Sequence, residues 1–121
     1  MDKEQALQAF WASFGVPAYD ENTVPDGAEL PRITYSVSTG ELNYPVSLTA
    51  SIWDRSKSWK SVTDIARTVL ETISRGGCTI PYTGGVIWLK TANTPAQRMG
   101  DTDDSIRRIV ISLQAEFFSE V

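Results

Sequence analysis

The sequence predicts an α+β fold in the order α-β-β-α-β-β, with a four-stranded antiparallel sheet and two helices packed on one of its faces. The first observation is a stripe of apolar residues that recur every three or four positions within residues 58–74, as on one side of a helix. The second is that the segments before and after it alternate apolar and polar residues with period two. A helix between two such pairs of strands can cover the apolar face of each pair.

The first helix is predicted from Lys3 to about Phe14. Asp2 stands at its N-cap and Gln5 follows three residues later, which is the arrangement of a capping box. Gly15 and Pro17 are expected to end it. The acidic, proline-containing segment 16–31 is predicted to be an irregular connection. The apolar stripe of the helix consists of Ala6, Leu7, Phe10, Trp11 and Phe14.

The first hairpin is predicted to pair residues 32–39 with residues 46–54 through a short link at 40–45. The central helix would end at residue 75, where Gly76 and Gly77 supply a left-handed cap. A short extended piece, Cys78–Tyr82, then precedes a second hairpin made of residues 86–90 and 107–118. The stripe of the central helix consists of Trp59, Val62, Ile65, Ala66, Val69, Leu70 and Ile73.

The second face of the predicted sheet is polar, which is typical of a sheet covered on one side only. In a monomer this face would meet solvent, and in an oligomer it could line a channel or a subunit contact. Its members are Thr34, Ser36, Ser38, Ser47, Thr49, Ser51, Ser112, Gln114 and Glu116.

Length and composition indicate a single domain over residues 1–121. The chain is 41% hydrophobic and 21% charged, which is ordinary for a globular protein. The start lacks the apolar core of a signal peptide, and no run reaches the length of a membrane span. With Cys78 as the one cysteine, no internal disulfide can form. We therefore expect a soluble, intracellular protein without a membrane partner.

Charge and residue types favour a protein without enzymatic activity. The net charge of −4 and the pI of about 4.7 oppose general attraction to nucleic acid. Histidine, the commonest general acid–base and a common metal ligand, is absent. We predict no catalytic residues, no cofactor and no metal.

Several segments look superficially like sites but lack residues that such sites need. The aspartates at 101–104 begin like a calcium loop, but Ile106 stands where the EF-hand turn needs glycine and Ser112 where it needs glutamate. Cys78 has no histidine to activate it, so a small buried residue is the simpler interpretation. Gly76-Gly77 and Gly84-Gly85 are turn glycines, because neither pair opens a helix or precedes a lysine and hydroxyl pair.

A long loop at residues 91–104 is the best candidate for partner binding. Its fourteen residues join two strands that a much shorter turn could connect, and it is too poor in apolar residues to pack by itself. We expect it to be mobile in the free subunit and ordered on a partner. The candidate contact residues are Arg98, Met99, Asp101, Asp103 and Asp104.

Arg55 and Lys57 add a basic cluster, with Lys60, at the start of the central helix. Cations at this end oppose the helix dipole, at a cost of a few tenths of a kcal/mol. A contact with acidic groups of a partner and a solvated face are both compatible with this pattern.

With this layout the chain resembles the tail completion or tail terminator proteins of bacteriophages with long non-contractile tails. The resemblance rests on the opening strand Leu-Pro-Arg-Ile-Thr-Tyr-Ser (30–36), on Val-Ser-Leu-Thr-Ala-Ser-Ile-Trp-Asp (46–54), on the helix after it, and on the closing strand (107–117). The opening helix, which ends in Phe-Gly-Val-Pro (14–17), is also similar. The likeness covers nearly the whole chain as a pattern of elements rather than a catalytic signature.

This resemblance implies a structural virion protein of the tail or neck, assembled in the host cytoplasm. Such proteins form six-fold rings on the last ring of tail tube protein, stop tube growth and dock to the head connector. DNA would pass through the ring without specific binding, which suits an acidic chain, although Arg98 places a positive charge among the loop aspartates. The purified subunit could still be a monomer. Two alternatives stay open: a head-completion or stopper protein of the neck, and a cytosolic, non-enzymatic binding domain.

Overall fold

The structure, a computed structural model, describes residues 2–36, 45–74, 76–101 and 103–119, apart from the side chains at 93, 94 and 119. The helices are α1 (Lys3–Ala12) and α2 (Lys60–Ile73). The strands are β1 (Ala18–Asp20), β2 (Arg32–Tyr35), β3 (Val46–Arg55), β4 (Cys78–Tyr82), β5 (Gly85–Met99) and β6 (Ile106–Ser119).

Over the described residues the strands form one six-stranded sheet in the order β1-β2-β3-β6-β5-β4. All neighbours are antiparallel except β1 and β2, which are parallel. The prediction of a four-stranded antiparallel sheet is therefore wrong. The sheet is mixed, and it has seven segments if β5 is divided at the irregularity between Thr91 and Ala96.

The first addition to the predicted sheet is β1, which lies in the segment predicted to be irregular. Its three residues pair in parallel with β2, from Ala18 opposite Ile33 to Asp20 opposite Tyr35. A three-residue strand between prolines has no visible alternation, so its conformation depends on the neighbouring strand rather than on local propensity.

The second difference lies in β5, which continues far beyond the predicted end at Lys90. Residues 91–99 belong to this strand, and its last part pairs with β6 from Ala96 opposite Ile111 to Met99 opposite Arg108. The prediction of a fourteen-residue loop at 91–104 is therefore wrong for its first nine residues. The connection between the two strands is confined to residues 100–105.

The predicted start of α1 is confirmed by its capping box. The backbone N–H of Gln5 donates to Oδ1 of Asp2 at 2.8 Å, and the N–H of Asp2 donates to Oε1 of Gln5 at 3.0 Å. The helix ends at Ala12, two residues earlier than predicted. Its stripe faces the core: Ala6, Leu7 and Trp11 are buried, and Phe10 and Phe14 are half-buried.

The α2 stripe is also confirmed, although its cap is not the one predicted. Val62, Ala66, Val69 and Ile73 are buried. The helix is capped at its C-terminal end by Ser74, whose φ of 61° is unusual for a residue with a side chain. The left-handed Gly77 follows three residues later.

Both helices lie on the same face of the sheet, over two apolar clusters. The larger cluster joins α2 and Trp11 to β2, β3 and the first half of β6. The smaller cluster joins the start of α1 to β3, β5 and the end of β6. Phe10 and Cys78 contact both clusters and so connect them.

The outer face is polar as predicted, but its centre is covered. Ser47, Thr49 and Gln114 are exposed, whereas Thr34 and Ser51 are only 8% and 6% exposed. The predicted contributions of Ser38 and of the hairpin link at 40–44 lie outside the described residues. No helix in the described part of the chain has the length and apolar character needed to cross a bilayer.

Candidate functional site

Two of the predicted contact residues meet across the β5–β6 turn. Nη1 of Arg55, at the end of β3, lies 3.2 Å from Oδ2 of Asp103 and donates to Oγ of Ser105 at 2.9 Å. The backbone extends the contact, since the N–H of Ser56 donates to the carbonyl oxygen of Ser105 at 2.7 Å. The turn is therefore fastened to the end of β3, which sequence reasoning did not foresee.

Asp103 is the organising group of this turn. Its Oδ1 accepts from both the hydroxyl and the backbone N–H of Ser105, at 2.7 and 2.9 Å. The hydrogen bonds from Ser105, followed by the one from Arg55, hold the pKa of the Asp103 carboxyl below its usual range. The Arg55 pair is well exposed, so it stabilises the fold only weakly.

A second cluster surrounds Trp59, just before α2. The guanidinium carbons of Arg98 and Arg107 lie 4.7 and 5.3 Å from the centroid of its ring. Arg107 also donates from Nη2 to the carbonyl oxygen of Lys57 at 3.1 Å and from Nη1 to that of Asp104 at 2.6 Å. Two arginines therefore stack on one indole, and Arg107 also connects this cluster to the backbone at Lys57 and Asp104.

Within this cluster Arg98 differs from Arg107. Arg107 is half-buried and bonded to backbone carbonyls, whereas the side chain of Arg98 is exposed and makes no hydrogen bond or ion pair with the described residues. Cation–π contact with Trp59 holds its position, and its N–H donors stay available to an acceptor.

The remaining predicted contact residues are dispersed around the turn. Met99 is 37% exposed and is the one large apolar side chain exposed among the described residues. Asp101 and Asp104 are exposed, and Oδ1 of Asp101 accepts from the N–H of Asp103 at 2.9 Å. The predicted residues thus share one end of the molecule, and two of them, Arg55 and Asp101, line the same cavity.

The cations at the start of α2 are partly compensated. Nζ of Lys60 lies 2.7 Å from Asp64, and Nη1 of Arg67 lies 3.4 Å from it. The hydrogen bond from Lys60 is the main cause of the lowered pKa of the Asp64 carboxyl. Asp64 therefore offsets part of the dipole conflict at Lys60, and only weakly, because the pair is exposed.

A groove of about 470 Å³ runs between α2 and the last part of β5. Its floor is apolar and its rim is charged, with Arg67 and Glu71 from the helix and Arg98 from the strand. Sequence reasoning missed it because residues 91–99 were assigned to a loop. The apolar floor is formed by Ala66, Leu70, Ala96 and Ile109.

On the outer face, the side chains of Arg108 and Trp53 cover the polar centre of the sheet. Arg108 donates from Nε and Nη2 to Oγ of Ser51, at 3.1 and 2.9 Å, and its guanidinium carbon lies 4.4 Å from the Trp53 ring centroid. The indole N–H of Trp53 donates to Oγ1 of Thr34 at 3.0 Å. These contacts explain why two hydroxyl side chains of the polar face are buried.

The described residues contain no group of three or more acidic or cysteine side chains placed to hold a metal ion. Cys78 is half-buried, and burial raises the pKa of its thiol, which keeps it protonated and weakly nucleophilic.

Comparison with known proteins gives a match at the level of fold. No protein family matches the sequence, and no curated protein matches it significantly. Among solved structures, the chain is similar to a chain described as "Virion of native gene transfer agent (GTA) particle". The TM-score is 0.62, the identity is 18%, and the match covers 94% of this chain and 90% of the other. The two chains therefore share a fold over nearly their whole lengths.

Proposed function

We propose that this protein is a structural subunit of a phage-like virion, at the head-proximal end of the tail. The observation that carries the proposal is the fold shared with a chain of a gene transfer agent virion particle, over 94% of this chain. The resemblance to tail completion proteins covers the same elements and supports the more specific assignment. In this role the protein has no catalytic activity and needs no cofactor.

In the proposed assembly, six copies form a ring that ends the tail tube and joins it to the head connector. Heterologous contacts around a rotation axis close into rings, and they require two different surfaces on each subunit. The β5–β6 turn with its exposed Met99 and the Arg98 cluster supply one candidate surface. DNA passes through the ring, and the chain's net charge of −4 disfavours tight binding to it.

Disruption of the gene in its parent phage or prophage, followed by electron microscopy of the particles, tests this role. Overlong tails would identify a terminator. Tails of normal length that stay separate from filled heads would identify a head-completion or stopper protein instead. Normal, infectious particles that lack the protein would contradict a virion role and favour a cytosolic binding domain.

Mass spectrometry of purified particles gives an independent check. We expect six copies per particle, located by antibody labelling at the junction of head and tail. A single copy, or label distributed along the tube, would contradict the ring.

A further inference from the structure

The sheet has an edge at which a strand is missing. β4 pairs with β5 only from Gly85 to Leu89, and beyond Leu89 the described residues give β5 a single neighbour, β6. Regular pairing with β6 resumes at Ala96 and continues to Met99. Alternate residues of a strand direct their N–H and C=O groups to each side, so every second residue among 96–99 directs these groups to the outer edge, where the described residues give them no strand partner.

At the opposite edge of the sheet, backbone groups of β1 are already hydrogen-bonded, so the open edge at residues 96–99 differs from it. On β1, the carbonyl oxygen of Ala18 accepts from Nε2 of Gln8 at 2.9 Å, and that of Asp20 accepts from the N–H of Thr23 at 2.9 Å. The edge formed by β4 contains Pro81, which has no N–H to donate. Pro95, which also lacks an N–H, and the irregularity in β5 lie just before the open stretch, whereas residues 96–99 themselves contain no proline.

The open edge lies beside the apolar groove under α2. A strand added to β5 would direct alternate side chains toward this groove and would cover the exposed end of the sheet. Ala96 and Arg98 point to the α2 side, because they pair with the core residues Ile111 and Ile109. The added strand would therefore face an apolar floor near Ala96 and a cation at Arg98.

The positive charge of Arg98 indicates which kind of strand would bind at this edge. Arg98 has no carboxylate partner in the described part of the chain, and its stacking on Trp59 holds the guanidinium at the rim of the groove. A carboxylate placed two residues from an apolar side chain would match both features, since residues i and i+2 of a strand share a face.

We propose that residues 96–99 are a strand-addition site for an extended segment of a partner protein that carries an apolar residue and, two positions along, a carboxylate. Main-chain hydrogen bonds to β5 supply affinity, and the groove and Arg98 supply specificity. The proposal does not depend on the virion role.

The test is an NMR titration of the full-length ¹⁵N-labelled protein with the synthetic peptide Thr-Val-Thr-Glu-Thr-Ser. We expect amide shifts centred on residues 96–99. The same peptide with lysine in place of glutamate should bind at least fivefold more weakly. Equal binding of the two peptides, or shifts centred elsewhere, would overturn the proposal.

Backbone methylation separates strand addition from simple attraction to Arg98. Two versions of the glutamate peptide carry N-methyl groups on alternate residues, one set for each edge of the strand. One version should lose binding at least tenfold and the other should keep it, because only one edge pairs with β5. Equal binding by both versions would show that no strand is added.

Charge reversal provides the matched control. Arg98→Glu should reverse the preference in favour of the lysine peptide. Lys90→Glu removes another cation that is stacked on an indole of the same strand, 4.2 Å from the Trp88 ring centroid, and should leave the preference unchanged. Equal effects of the two variants would overturn the assignment to Arg98. If Arg98→Glu failed to fold, the comparison of peptides on the natural protein would still decide the question.

Discussion

At the scale of single residues, the least space for a side chain is found at Gly85, the first residue of β5, where the backbone of β6 lies very close. A Cβ atom there would lie 1.8 Å from the carbonyl oxygen of Phe118 on β6. The hydroxyl of Tyr82, which donates to the same carbonyl at 2.9 Å, also closes the space. Only a residue without a side chain allows the two long strands to meet here.

We therefore expect Gly85→Ala to lower the free energy of unfolding by about 1–3 kcal/mol, as overpacking of a tight site does. Gly76→Ala is the control, because a Cβ at Gly76 meets nothing within 4 Å. Urea denaturation followed by circular dichroism measures both. Equal stability of the two variants would show that β5 and β6 are farther apart at this end.

Asp103 gives a prediction about pH. Hydrogen bonds from Ser105 and Arg55 lower the pKa of its carboxyl, so the ionised form stabilises the turn above the ordinary pKa of an aspartate. This stabilisation should disappear as the pH falls through the lowered value. Carbon-detected NMR titration should show Asp103 ionising below its usual range, and Ser105→Ala should move the pKa upward. An unchanged pKa in that variant would contradict the geometry of the turn.

At the scale of elements, α2 was the most accurately predicted part. Its apolar stripe at helical spacing identified all four residues that are buried, including Val69, which is completely inaccessible. Ile65, placed in the same stripe, is only half-buried, because it lies at the margin of the contact with the sheet.

Val69→Asp should unfold the domain, since it places a charge in the larger cluster without a partner. Thr49→Ala, on the exposed outer face, should change the free energy of unfolding by less than about 0.5 kcal/mol. Thermal denaturation of the two variants is the measurement. A soluble Val69→Asp variant with a cooperative transition would mean that α2 presents another face to the sheet.

The second half of β5 could not be recognised from its own residues. The run from Thr91 to Met99 contains Pro95, Asn93 and two alanines, and it lacks the alternation of a half-buried strand. Its conformation depends on β6, whose fourteen residues alternate clearly and require a partner of similar length. The sequence did offer one signal that β5 is longer: a strand as long as β6 needs a longer partner than the five residues predicted for it.

Because residues 96–99 pair with β6, we expect their ladder amides to exchange slowly in the free subunit, contrary to the mobility predicted from composition. Hydrogen exchange measured by NMR distinguishes the two expectations. Exchange at the rate of an unstructured peptide throughout residues 91–104 would support the original prediction of a mobile loop.

At the scale of the whole molecule, the sequence indicated the two helices, the antiparallel pairs β2–β3 and β5–β6 and the polar outer face. It did not indicate β1, the open edge of β5 or the groove, because each depends on contacts between distant segments rather than on local pattern. The candidate site follows the same division. Arg98 and Met99 were chosen from composition, whereas the stacking on Trp59 required the fold.

One sheet carries two apolar clusters, and their connection decides whether the chain unfolds as one unit. Phe10 packs against both clusters, and β3 and β6 contribute residues to each. Long strands that cross both clusters transmit the loss of one to the other, so we expect a single transition with no populated intermediate. Methyl signals of Ile73 in the larger cluster and Leu89 in the smaller one should disappear at the same temperature.

Phe10→Ala should lower that temperature for both signals together, because the lost contacts serve both clusters. Earlier melting of Leu89 alone, in either protein, would divide the molecule into two cooperative units and would place the boundary along β6.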